Sequence, residues 1–226
     1  MPPDDANARS TPRASRLVAL DWFRFLAVAL MVQGHTFYEV LQESVKDQDW
    51  YSWHRYVHGF TAPMFYFSSG LAFGVTTLRG FASQTTWSAA SKKRYERYAM
   101  LLLIGYGMQA GDFSARALLT GTHAEQSAQL AVNTLQNIGV TLLIAQLLVA
   151  ATRTVTRYRI AILALATFFV GLAPLAWRAD LSSWPVGVAA YVTDRTGSLF
   201  PLFPWSGYAL AGILVSIALT GDDGRS

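Results

Sequence analysis

Three ionisable side chains fall inside the first long apolar stretch of the chain. In LDWFRFLAVALMVQGH, Leu20 to His35, they are Asp21, Arg24 and His35. An imidazole can take a proton from a reacting group or carry an acyl group transiently. A guanidinium offers paired donors to phosphate or carboxylate, and an acid three residues before it can pair with it and orient it. Eleven residues separate Arg24 from His35. Eleven steps of about 100° bring the two within about 20° of one another, on one helix face and about 16 Å apart along the axis. Each such group costs about 2.5–3.5 kcal/mol at the centre of an inserted helix. The intervening FLAVALMV offsets that cost. A purely structural reading makes Asp21 and Arg24 an interfacial pair, with Arg24 snorkelling, and makes His35 a polar packing residue. The shared face points instead to a site.

The surrounding chain must hold that face in place. Of 226 residues, 52% are hydrophobic and only 14% charged, well under the quarter usual in soluble domains. The apolar residues come in blocks whose length matches a bilayer core. The pattern predicts an all-α polytopic transmembrane bundle of about six spans, at 17–41, 57–79, 97–111 (extending back toward Arg94), 130–151, 158–177 and 200–220. Residues 1–16 read as a disordered cytoplasmic N-terminus, 17–220 as the transmembrane domain and 221–226 as a polar tail. No cleavable leader is evident, so the first block is expected to remain as a span. Ser182 to Gly197 is too short to span and reads as a surface or re-entrant piece.

Loop charges set the orientation. Arg9, Arg13 and Arg16 precede the first span; Lys92, Lys93, Arg94 and Arg97 lie in the second connection; Arg153, Arg157 and Arg159 lie in the fourth. The other connections are poor in Lys and Arg. That alternation predicts a cytoplasmic N-terminus and, with six spans, a cytoplasmic C-terminus. Asp21 and Arg24 then sit near the cytoplasmic side, and His35 toward the outer half. His58, Asn133, Gln136 and Trp205 fall at the outer ends of other spans, at the same level. Each has a plainer reading: His58 and Trp205 as interfacial residues, Asn133 and Gln136 as helix-end caps.

Several chemistries are disfavoured. The chain has no cysteine, hence no disulfide framework and no thiolate nucleophile or metal ligand. No zinc motif, phosphate-cradling glycine loop or G-x-S-x-G elbow appears, so no metal site is expected. The net charge of +4 is small and resides in loops, which argues against a nucleic-acid partner.

The quoted stretch resembles the first-span signature R-x10-H, preceded by Leu-Asp, of membrane acyltransferases that acylate sugars. HGFTAPMFYFSSGLAFG, NTLQNIGVTLLI and FPLFPWSGYALAGIL follow in an order similar to the heparan-α-glucosaminide N-acetyltransferase-like branch. That branch generally has more spans than are read here, which leaves open whether 17–220 is the whole domain. The resemblance implies transfer of an acyl group, expected to be acetyl, from acyl-CoA to a hydroxyl or amine of a sugar-like acceptor, in the bacterial plasma membrane. His35 would be the general base or acyl carrier, Arg24 the donor's anchor and Asp21 its orienting partner. His58, Asn133, Gln136 and Trp205 would line the substrate. The competing expectation is a transporter or scaffold using Asp21, Arg24 and His35 as a polar relay. The oligomeric state stays open.

Overall fold

The computed structural model describes residues 18–109 and 114–220. The expected N-terminal segment 1–16 and the tail 221–226 lie outside them. Every regular element among the described residues is helical: α1 (Val18–Val40), α2 (Glu43–Lys46), α3 (Asp49–His58), α4 (Thr61–Leu78), α5 (Phe81–Gln84), α6 (Ala89–Gln109), α7 (Ala115–Thr120), α8 (His123–Leu130), α9 (Thr134–Thr152), α10 (Val155–Gly171), α11 (Ala173–Arg178), α12 (Val186–Val192) and α13 (Leu202–Thr220), with a 3₁₀ turn at Asp194–Thr196. The fold is an all-α bundle.

Long helices stand where the six apolar blocks predicted them, with local differences. The third begins at Ala89, before the Arg94 to which the apolar block was extended, because the whole basic turn Lys92–Arg97 is helical and part of α6. The fifth breaks at Leu172 into α10 and α11, with Pro174 in the first turn of α11, where its missing N–H costs nothing. Ser182 to Gly197 holds the short α12 and the 3₁₀ turn, and the loop after α1 holds α2 and α3. Three stretches are long and apolar enough to cross a membrane: Thr134–Thr152, Val155–Arg178 and Leu202–Thr220. The first three long helices are more polar: α1 carries Asp21 and Arg24, α4 is rich in Ser, Thr and Gly, and α6 carries five charges in its first half.

The centre of the bundle is the α4–α13 pair, with α10 against α13 and α9 closing the other side. Its helices approach at backbone level. A Cβ at Gly70 would overlap the Ala209 carbonyl, and one at Gly212 would overlap the carbonyl of Phe67. Small residues at a three- to four-residue spacing are what permits such approach between apolar helices that gain little from hydrophobic burial against one another. α6 packs on α9 and α1 packs on α4, so the two flank the central pair.

Arg94 ties three helices together at one end. Its guanidinium donates to Thr77 Oγ1 (2.6 Å) and Thr76 Oγ1 (3.0 Å) on α4 and to Gln146 Oε1 (3.1 Å) on α9. It also lies 5.1 Å above the Phe73 ring. Gln146, itself fully buried, donates to the carbonyl of Gln84, the last residue of α5. A cation that the sequence assigned to a loop is therefore an interhelical staple.

Gly212→Val is expected to lower stability by about 1–3 kcal/mol through overpacking. Gly107→Ala is the control, because a Cβ there meets nothing within 4 Å. Thermal unfolding in detergent measures both. Equal melting temperatures for the two variants would mean that the α4–α13 contact does not depend on its glycines.

Candidate functional site

Gly34 determines what can sit beside His35. It is one of two buried residues of α1, with Ala27 a helical heptad earlier, so this stripe rests on α4. A Cβ at Gly34 would overlap the His58 ring. The absent side chain makes room for an imidazole from the end of α3, directly against the α1 backbone. His58 Nδ1 lies 3.3 Å from the Leu30 carbonyl. A carbonyl only accepts, so Nδ1 carries the proton and Nε2 keeps its lone pair.

His35 meets His58 edge to face, with ring centroids 5.5 Å apart at 84°. His58 in turn lies flat on His54, 6.1 Å away at 8°. His54 is packed by Tyr51 (5.5 Å), Phe37 (4.9 Å) and Trp50 (6.4 Å). Both of its ring nitrogens are buried without a hydrogen-bond partner. Burial, and secondarily the nearness of His58, hold the His54 imidazole below the usual histidine range. Three imidazoles thus run from the exposed flank of α1 into an aromatic wall. The rings meet by faces and edges, and among the described residues no group of three His, Asp or Glu is placed to hold a metal ion.

Arg24 is exposed on the same flank as His35, and Asp21 is half-buried a turn before it. Asp21 is itself engaged in an interaction. The neighbouring Phe23 ring contacts Phe67 at 6.2 Å. Phe67 lies eleven residues before the end of α4, about 16 Å along its axis. Arg24 therefore sits level with the middle of α4.

The other candidates go elsewhere. Asn133 is the N-cap of α9, and its backbone N–H donates to Gln136 Oε1 at 3.3 Å. Gln136 is fully buried; it donates to Gln109 Oε1 at 3.4 Å and fills the space left by Gly105 on α6. Trp205 packs on Phe200 (4.7 Å), Tyr208 (5.9 Å) and Tyr66 (6.3 Å). No hydrogen bond or ring contact joins these residues to the His35–His58 pair. A cavity of about 760 Å³ opens near Gln109, lined by Arg116, Glu125 and Gln129 among others, and it does not include the histidines.

Two groups were missed in the sequence. His54 was not singled out; its four-residue spacing from His58 on α3 is the signal that places both rings on one face. Asn137 is the second. Its Nδ2 donates to the carbonyls of Phe200 and Pro201, both at 2.9 Å. Its Oδ1 accepts from Thr141 Oγ1 (2.9 Å) and Ser206 Oγ (3.3 Å). It fixes the entry to α13 and touches no candidate site residue. Asn137→Ala is expected to cost about 1–3 kcal/mol, because it strands buried acceptors. Chemical unfolding in detergent measures the loss, and a variant as stable as the parent would remove Asn137 from the list of structural supports.

The family description Heparan-alpha-glucosaminide N-acetyltransferase, catalytic, matches residues 16–225. No curated protein and no solved structure matches the chain. The matched range takes in the whole described bundle, including α1 with Arg24 and His35 and the α3–α4 junction with His58. The chain belongs to the family of heparan-α-glucosaminide N-acetyltransferase catalytic domains.

Proposed function

We propose that this membrane protein moves an acetyl group from acetyl-CoA to a hydroxyl or amine of a sugar-like acceptor, with His35 as general base. The observation that carries the reading is the exposed imidazole of His35, set against a second imidazole whose tautomer a backbone carbonyl fixes. Family membership supplies the class of reaction. The acceptor's oxygen or nitrogen attacks the thioester carbonyl while His35 takes its proton. The C–S bond then breaks and the proton passes to the departing thiolate sulfur. Arg24, on the same flank about 16 Å along the helix, holds the donor's phosphates. An extended pantetheine arm covers that separation.

The proposed topology has six spans, with both termini in the cytoplasm of a bacterial plasma membrane. Its support is the alternation of basic and non-basic connections. The donor then reaches Arg24 from inside, and the acceptor reaches His35 from the outer half. Asn133, Gln136 and Trp205 contribute to this site through the helices they hold, not by direct contact with the histidine pair.

Three measurements test this reading. His35→Ala is expected to lower acetyl transfer by about 10²–10⁴-fold in protein that still inserts and folds; full activity would sink the mechanism. Arg24→Lys is expected to weaken CoA binding in isothermal titration, because an ammonium cannot copy the paired donors. Unchanged CoA affinity would return Arg24 to a structural role. A cysteine at exposed Ser44 is expected to react with an impermeant thiol reagent in intact cells, and one at exposed Lys92 is not. The native chain has no cysteine to confuse the labelling. The reverse pattern would invert the topology.

A further inference from the structure

We infer that His58 is a positioning residue for His35, a fixed ring that limits how the reactive imidazole can turn. The inference rests on the reading of His35 as general base. Its evidence is the contrast between the two rings. His35 is exposed on the flank of α1, and its ring contact is with His58. His58 is fixed from three sides: the Leu30 carbonyl at Nδ1, the bare backbone of Gly34 beneath the ring, and the parallel face of His54. A purely structural histidine does not require a glycine on the neighbouring helix, a carbonyl that selects its tautomer and a second imidazole stacked behind it.

The consequence is chemical. With the proton held on Nδ1, the only lone pair His58 offers is at Nε2. The edge-to-face arrangement limits the orientations open to the His35 ring. An acceptor hydroxyl or amine that reaches His35 then meets a reactive imidazole backed by a fixed one. His35 is the titratable group facing His58 from α1, and His54 faces it from α3, where the neighbouring Arg55 is exposed. The first turn of α4, from Thr61 onward, has no ionisable residue. The buried ring nitrogens of His54 disfavour its charged form.

Two experiments test this. His58→Asn keeps a donor for the Leu30 carbonyl and removes the titrating ring. Its kcat is expected to fall about 10–100-fold, the size usual for a residue that orients a catalytic group, with KM little changed. A His58→Asn enzyme with the parent's kcat would overturn the inference. The second experiment needs no variant: ¹⁵N spectra of the imidazoles, of which the chain has only four. Near neutral pH, His58 is expected to carry its proton on Nδ1, and a proton on Nε2 would overturn the assignment. The outcomes also separate the two readings. An active His35→Ala enzyme removes the general-base reading itself. An inactive His35→Ala beside an unaffected His58→Asn removes only the pairing.

Discussion

The structure depends on how closely other helices can approach α4. In a bilayer, apolar helices gain little from hydrophobic burial against one another, so close packing and interhelical hydrogen bonds must supply cohesion. Gly70 and Gly212 bring the α4 and α13 backbones into contact. Gly34 does the same on the outer flank, where the occupant of the space is an imidazole at the α3–α4 junction. One device, the missing Cβ, thus serves the bundle's centre and its candidate site. The difference is in the occupant: backbone carbonyls of Ala209 and Phe67 at the centre, the His58 ring on the flank.

The polar side chains divide along the same line. Arg94, Gln146, Gln136, Asn137, Thr141 and Ser206 are committed to one another or to backbone carbonyls across helix pairs. Buried polar groups of this kind must be satisfied, and their satisfaction fixes the register of the helices. His35 and Arg24 are not committed in that way. They stand exposed on α1, on the face predicted from their eleven-residue spacing. An ionisable group that does no structural bonding in a membrane helix is the kind most naturally assigned to chemistry.

Much of this was legible in the sequence, and the failures have physical causes. Apolar block length located the long helices, because a bilayer core sets that length. The start of α6 was misplaced because a run such as Lys92–Arg97 reads as solvated; nothing local reveals that Thr76, Thr77 and Gln146 would receive Arg94. Ser91 likewise reads as a loop residue but is buried at the head of α6. Helical periodicity placed Arg24 and His35 together. It could not show that His58 would arrive from α3, because that meeting depends on the turn at Gly59 and the gap at Gly34. Asn133, Gln136 and Trp205 share a level with His35 in the topology, but level alone does not determine which side of α4 a residue occupies.

The central claim is that this bundle transfers an acetyl group from CoA. The most direct measurement is release of free CoA thiol from acetyl-CoA by the purified protein in liposomes, with hydroxyl and amino sugars offered in turn. The chain has no cysteine, so every thiol detected comes from the donor. The account predicts thiol release that needs both the protein and an acceptor and that yields acetylated sugar in equal amount. Folded, inserted protein that leaves acetyl-CoA intact with every hydroxyl and amino sugar would contradict it.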